Sequence, residues 1–249
     1  MKLTFWGTGT SVGVPMIGCH CPVCRSKDPR DKRLRCSALL ETDGKRLLID
    51  SGPDFRQQAL SHGLDRLDAV LVTHHHYDHL YGLDDVRPLG TVDVYGEQLV
   101  LKTIRETMPY CFGAHKYPGS PTINLHEIHA FESFQAGGVE VLPLRVIHGQ
   151  LPIVGFRIGD LAYITDASLL PEETFAALQG VKTLVLNALR ITPHPSHFSL
   201  EESLAAAQRI AAEQTYFVHF SHDIGLHAQI DPTLPDGVHM AYDGLELEV

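Results

Sequence analysis

The sequence predicts an α/β fold of two β-sheets packed together with helices outside. Strand-like apolar runs recur along the whole chain and outnumber the helical patterns. A length of 249 residues with a 44% hydrophobic share suffices for one large domain, residues 1–249, with a well-buried core. Several of the runs also end in a histidine or an aspartate. Such groups at the ends of buried strands are costly unless satisfied, so a set of them marks a site.

Residues 2–6 alternate weakly and lead into Gly7-Thr8-Gly9-Thr10-Ser11-Val12-Gly13. That glycine-rich stretch lacks the Lys-Ser/Thr ending of a P-loop and the full spacing of a dinucleotide fingerprint, so it reads as backbone passing close to a site. Strands are expected at 37–40, 46–49, 69–73, 92–95, 139–144, 155–158, 161–165, 183–186, 215–218 and 245–249. Helices are expected at 54–62, 98–107 and 200–213, gathered in the second half. The last has the clearest signal, with Leu204, Ala207, Ile210 and Ala211 in an apolar stripe and Ser199 with Glu202 as a capping box. No internal repeat or low-complexity linker interrupts the pattern.

The densest chemistry lies in Thr73-His74-His75-His76-Tyr77-Asp78-His79, directly after the strand-like stretch 67–72. Its spacing is H-x-H-x-D-H. In an extended segment His74 and His76 project to one side and can grip one cation. Asp78 and His79 follow where the chain turns, aimed at a neighbouring point, so two metals are implied. Zinc, manganese and iron all suit imidazole with carboxylate. His-rich tracts also arise from composition alone. Here, however, one aspartate stands in register behind an apolar run, and further ligand types end other runs: His148 after 141–147, Asp166 after 161–165 and His219 after 215–218. Each taken singly is an ordinary turn or cap residue; together with the first motif they read as one site.

The five cysteines are Cys19, Cys21, Cys24, Cys36 and Cys111. Cys19-His20-Cys21-Pro22-Val23-Cys24 is C-x-C-x-x-C, poor spacing for a disulfide framework and good spacing for three thiolates on one tetrahedral zinc. His222, in His219-Phe220-Ser221-His222, is the candidate fourth ligand, with His20, Cys36 and His227 as rivals. Ordinary buried thiols are the plainer reading.

The set His74, His76, Asp78, His79, His148, Asp166 and His219, in that order and over nearly the whole chain, resembles the metallo-β-lactamase superfamily. The resemblance implies an αββα sandwich of the metallo-β-lactamase type. It implies one metal on His74, His76 and His148, a second on Asp78, His79 and His219, and Asp166 bridging the two. Asp50, in Leu48-Ile49-Asp50-Ser51-Gly52, matches a family aspartate that supports the first loop through hydrogen bonds. A hydroxide held between two such cations is a nucleophile at neutral pH, suited to phosphodiester or acyl substrates. The cysteine cluster, the His-x-Ser-His run and a closing Tyr242-Asp243-Gly244 together resemble the phosphodiesterases that open cyclic ribose phosphates, of the phosphoribosyl 1,2-cyclic phosphate type. In those enzymes a histidine at the position of His197, just ahead of the capping box, is the general acid for the leaving oxygen. Asp166 and His197 are thus the catalytic candidates.

The expected cofactors are two divalent catalytic metals, manganese or zinc, and one structural zinc. The expected ligand is a small phosphorylated substrate. Asn187-Ala188-Leu189-Arg190 departs from the resembling enzymes. Arg190, Arg35 and Arg87 are each either a phosphate donor or a surface residue; His194 ranks below His197 as an acid, and His62, His115, His126, His129 and His239 read as surface or packing residues. The net charge of −10 argues against a nucleic-acid face. No apolar run of about 18 residues is present, so no membrane span is expected. The N-terminus, with its single lysine and early glycines, does not read as a secretory signal, which predicts a cytoplasmic location. A homodimer follows only from the resemblance. The competing activities are a thioester or lactone hydrolase on the same site, a tRNA 3′-processing endonuclease, and a non-catalytic metal-binding accessory protein. Nothing between Leu83 and Ile147 resembles the basic Gly/Pro-rich arm that tRNA binding calls for.

Overall fold

A computed structural model describes residues 1–113 and 116–249. In chain order the strands are β1 (Lys2–Gly7), β2 (Ser37–Thr42), β3 (Lys45–Ile49), β4 (Ala69–Leu71), β5 (Thr91–Gly96), β6 (Thr122–Glu127), β7 (Phe134–Ala136), β8 (Val139–His148), β9 (Leu151–Ile158), β10 (Leu161–Ile164), β11 (Thr183–Asn187), β12 (Gln214–Val218), β13 (Val238–Met240) and β14 (Glu246–Glu248). The helices are α1 (Pro22–Arg25), α2 (Phe55–Ser61), α3 (Tyr77–Leu80), α4 (Gln98–Thr107), α5 (Glu172–Ala177), α6 (Leu200–Ile210) and α7 (His227–Ile230). Helices therefore do not gather in the second half: α1 to α4 precede β6.

Two seven-stranded sheets form, in the orders β14-β1-β2-β3-β4-β5-β6 and β13-β12-β11-β10-β9-β8-β7. Each is antiparallel through one half and parallel through the other. In the first sheet β3 to β6 pair in parallel, and in the second β10 to β13 do. Such strands are buried on both faces, and period-two alternation divides their side chains between two cores. Leu47, Ile49, Ala69 and Leu71 pack between the sheets against Val154, Phe156, Tyr163 and Val185. Leu48 and Val70 point outwards, beneath Phe55 of α2 and Val100 and Ile104 of α4. Leu184, Leu186 and Phe217 point outwards on the other side, beneath Ala206, Ala207 and Ile210 of α6. The result is an αββα sandwich.

The strands not anticipated, β6, β7 and β13, lie at or beside sheet edges, are short or polar, and lack the continuous apolar run of the central strands. The β8–β9 hairpin runs longer than expected because Pro143 and Pro152, poor strand residues in general, are accommodated within it. The capping box at α6 is present, with the Ser199 side chain and Glu202 bonded reciprocally. The helix stops at Ile210 instead of 213 because Ala211 turns left-handed, its N–H donating to Ala207 O.

Candidate active site

The histidine- and aspartate-bearing segments meet at the carboxyl ends of the parallel strands, where open sheets place their binding sites. Asp50 follows β3, the 74–79 segment follows β4, Asp166 follows β10 and His219 follows β12, while His148 ends β8. Asp50, Asp166 and His219 share a left-handed backbone, with φ of 60°, 59° and 60°. That conformation is uncommon for residues other than glycine, and it turns each side chain sharply off its strand end. The loop around 78 also lies against neighbouring backbone: a Cβ on Gly52 would stand 2.0 Å from Asp78 O, so only glycine permits this approach.

The structure brings His74, His76 and His148 together as one group and Asp78, His79 and His219 as another, the ligating atoms within each lying within 4.8 Å of one another. Asp166 sits between them. Its Oδ2 is 3.2 Å from His79 Nε2 and its Oδ1 3.1 Å from His219 Nε2, and it also groups with His74 and His79. His75, the remaining histidine of the run, is half-buried beside His76 and belongs to neither group.

Hydrogen bonds fix the tautomers. The Thr73 hydroxyl donates to Asp50, 2.8 Å from Oδ2, so it can only accept from His74 Nδ1 at 3.0 Å. His79 Nδ1–H donates to Asp50 Oδ2 at 2.7 Å, and His148 Nδ1–H donates to Ser196 O at 2.6 Å. In His74 and His148 this leaves Nε2 with its lone pair, and in His79 it leaves Nε2 facing Asp78 and Asp166; a ring fastened through Nδ1 with Nε2 turned to the site is the arrangement imidazole adopts when it ligates a cation. Among the described residues His74 Nε2, His79 Nε2 and both nitrogens of His219 are buried without a hydrogen-bond partner. Orphaned buried polar atoms are costly, and divalent cations would satisfy the nitrogens that face the cluster. The donor set therefore fits two such ions.

Electrostatics follow the same logic. Burial works against a charge on His79, yet Asp78, Asp166 and Asp50 outweigh it and raise the imidazole well above its usual range. Burial likewise opposes the Asp166 carboxylate, but His219 and His79 hold it well below the carboxylate range. His74, without a carboxylate bonded to it, is pushed well down by burial and by the His79 charge. The carboxylates thus draw positive charge into the cluster, which divalent cations can supply.

His197 lies over this cluster, its ring centroid 4.5 Å from that of His148 and 4.9 Å from that of His219. Its Nδ1 is 3.5 Å from Asp166 Oδ1. Burial and the His219 charge lower its pKa to about 3. His197 also groups with His148 and Asp166 at ligand spacing. The segment carrying it is fastened by Leu189 N donating to Phe198 O, Phe198 N to Ala167 O and Leu200 N to Arg190 O. The Ser196 carbonyl that holds His148 could not be read from the sequence, because a backbone acceptor has no residue signature.

The cysteine cluster is a second, separate group. Cys19, Cys21, Cys24 and His222 come together, with His222 Nδ1 at 3.4 Å from Cys19 Sγ and 3.3 Å from Cys21 Sγ. The rivals for the fourth position lie elsewhere: His20 is exposed, Cys36 is in the core between the sheets, and His227 is bonded to Arg33. The Cys24 N–H, bonded to Cys21 Sγ, and then His222 lower Cys21 to about 6 against the effect of burial, whereas burial first and the neighbouring thiols next raise Cys24 to about 11. The loop is anchored by Arg33. Its buried guanidinium donates to Thr8 Oγ1 and Ala241 O and lies 4.4 Å over the Phe220 ring. Asp243 accepts from Thr8 N, Thr8 Oγ1 and Leu34 N, which gives the closing Tyr-Asp-Gly and the early glycine loop a shared structural role.

Of the remaining histidines, His62 stacks on Trp6, His126 pairs with Asp93, His239 bonds Gln214 and His129 is exposed. His115 lies outside the described residues. Arg35 and Arg87 are paired with Asp54 and Asp84.

A family model described as a beta-lactamase superfamily domain matches residues 45–220. A solved structure described as a new diphosphatase from the PhnP family superposes with a TM-score of 0.93 at 42% identity, covering 99% of this chain and 96% of that one. An octanoyltransferase of Porphyromonas gingivalis is 45% identical over 251 aligned positions, covering 99% of this chain and 51% of that protein, so the chain spans about half of the relative's length. A ribonuclease Z of Mycobacterium sp. is 26% identical over 244 positions, with 84% of each chain covered.

Proposed function

The chain belongs to the metallo-β-lactamase superfamily, and from that premise we propose that it is a metal-dependent phosphodiesterase acting on a small cyclic phosphodiester of the phosphoribosyl 1,2-cyclic phosphate type. The observation that carries the reading is His197 held against Asp166 and over both histidine groups, together with full-length similarity to a PhnP-family diphosphatase. One cation would be held by His74, His76 and His148 and the other by Asp78, His79 and His219, with Asp166 shared; zinc and manganese both suit these donors. A structural zinc would be held by Cys19, Cys21, Cys24 and His222. When bound, the catalytic cations lower the pKa of water and neutralise charge on the phosphoryl oxygens.

The chain's own residues supply the rest. Asp50 holds His79 and, through Thr73, His74 in the required tautomers. Asp50→Ala is expected to weaken metal affinity by about 10- to 100-fold; unchanged affinity in a competition titration would contradict this role. His197 turns Nδ1 towards Asp166, which leaves Nε2 on the opposite edge of the ring to pass a proton to the leaving oxygen. Burial and the neighbouring histidines hold the ring below its usual range, and the negative charge of an anionic diester beside it would favour the protonated, donating form.

The test is steady-state hydrolysis of bis(p-nitrophenyl) phosphate and a ribose cyclic phosphate by metal-reconstituted protein. His197→Ala should lose about 10²-fold on the ribose substrate, whose leaving alkoxide needs a proton, and less than about tenfold on the nitrophenyl ester, whose leaving group does not. Equal losses on both, accompanied by loss of bound metal, would make His197 a ligand instead of an acid. The ribonuclease Z relative favours RNA as a second reading; the net charge of −10 opposes it, and cleavage of a precursor tRNA at rates above those on cyclic phosphates would establish it.

A further inference from the structure

Within Asn187-Ala188-Leu189-Arg190, Arg190 turns back on its own loop, Nε donating to Thr192 O at 3.1 Å and Nη2 to Pro193 O at 2.7 Å. Asn187 is instead fully buried. It ends β11 after the apolar run Leu184-Val185-Leu186, where another apolar side chain would be buried at no polar cost, yet an amide stands there. The neighbouring strand supplies the reason. Backbone pairing between β10 and β11 ends at Ile164 and Leu186, and Asp166 then takes the left-handed conformation that turns the chain off the sheet. The buried backbone of Ala167 is thereby left outside the ladder. The Asn187 side chain replaces it: Oδ1 accepts from Ala167 N at 2.6 Å and Nδ2 donates to Ala167 O at 3.0 Å. This pairing also fixes the orientation of the amide, because a peptide N–H can only donate and a carbonyl only accept.

Three segments of the site meet around this residue. Ala167 adjoins Asp166, and its carbonyl accepts a second bond, at 2.6 Å, from the N–H of Phe198, the neighbour of His197. Across the β11–β12 ladder Asn187 pairs with Val218, the residue before His219. We propose that Asn187 is a positioning residue: by gripping the N–H and C=O of Ala167 it sets where Asp166 stands between the two ligand groups and where His197 stands over Asp166. The kinetic part of this inference rests on the phosphodiesterase reading. The part that concerns Asp166 rests on the ligand geometry alone.

The experiment compares metal-reconstituted wild type, Asn187→Ala, Asn187→Leu and Ser203→Ala. Leucine keeps the branch and much of the volume of asparagine without its hydrogen bonds. Ser203→Ala removes another buried bond at the same place, from Ser203 Oγ to Asn187 O at 2.6 Å, without touching Ala167, and so serves as the control for lost stability. Both Asn187 variants should lower kcat on the ribose cyclic phosphate by about 10- to 100-fold with KM within about threefold of wild type. They should lose less on bis(p-nitrophenyl) phosphate, and bind the catalytic cations about tenfold more weakly in a competition titration. The excess loss on the ribose substrate should vanish in a His197→Ala background, since that share acts through His197. Ser203→Ala should melt lower but keep the wild-type ratio between substrates and the wild-type cation affinity. Unchanged kcat, substrate ratio and cation affinity in both Asn187 variants, with a lower melting temperature, would make Asn187 a plug for a buried turn and overturn the proposal. Equal changes in Ser203→Ala would overturn it too. Turnover of neither diester by metal-loaded wild type would remove the phosphodiesterase reading alone: the fall in cation affinity would still uphold the grip on Asp166, and its absence would overturn it.

Discussion

Asp166→Ala is expected to lower hydrolysis by about 10³-fold or more and to reduce the number of tightly bound catalytic cations. Among the described residues Asp166 is the one carboxylate in reach of both histidine groups: it lies 3.2 Å from His79 Nε2 and 3.1 Å from His219 Nε2 of one, gathers with His74 and His148 of the other at ligand spacing, and its Oδ1 also faces His197. Its removal strips a shared donor, leaves His79 and His219 with one fewer compensating charge, and releases the orientation of the acid. Loss of a single preorganised electrostatic group in an active site commonly costs 10²- to 10³-fold, and here three functions fall together. Asp166→Asn separates charge from shape: it should bind metal more weakly than wild type while folding as stably. Steady-state kinetics with metal content by mass spectrometry checks both. Activity within tenfold of wild type in Asp166→Ala would place the reaction elsewhere.

The second large effect is expected on stability. Cys24→Ser should lose one equivalent of zinc and lower the melting temperature by about 10 °C or more, since removing even ~4 kcal/mol of a structural zinc's contribution shifts a domain of this size by roughly 2–4 °C per kcal/mol. The effect is structural because the cysteine loop has little apolar core of its own: Val14, Val23 and Cys24 form a small cluster apart from the main cores. His222 joins the loop to the segment that begins at His219, so disorder there should reach the active site. A calorimetric scan with zinc quantified in the same sample tests this. A melting temperature equal to that of wild type, with the zinc gone, would show the four residues to be ordinary thiols beside a histidine.

The sequence reveals the parts of this molecule in which chemistry and position coincide locally. Central strands such as β4 and β11 are buried on both faces and so appear as continuous apolar runs. The H-x-H-x-D-H motif and C-x-C-x-x-C are visible because each packs its residues into one turn. His148, Asp166 and His219 become legible only as a set, each being an unremarkable strand-end residue alone. Edge strands escape notice because β6 is mostly polar and exposed, with only Ile123 and Leu125 apolar, and β13 spans three residues, too few to carry a pattern. The buried Arg33 also escapes notice: an arginine is expected at the surface, and only the fold shows Phe220 beneath it and Thr8, Ala241 and His227 around it. The left-handed turns at Asp50, Asp166 and His219 have no glycine to announce them.

The most direct measurement titrates metal-stripped protein with zinc or manganese while following hydrolysis of 5-phosphoribosyl 1,2-cyclic phosphate, with bound metal counted at each step. The two-cation phosphodiesterase predicts no turnover in the stripped protein and full turnover only once two equivalents beyond the structural zinc are bound. Complete occupancy of both groups without hydrolysis of this substrate, or turnover that does not depend on the second equivalent, would contradict it.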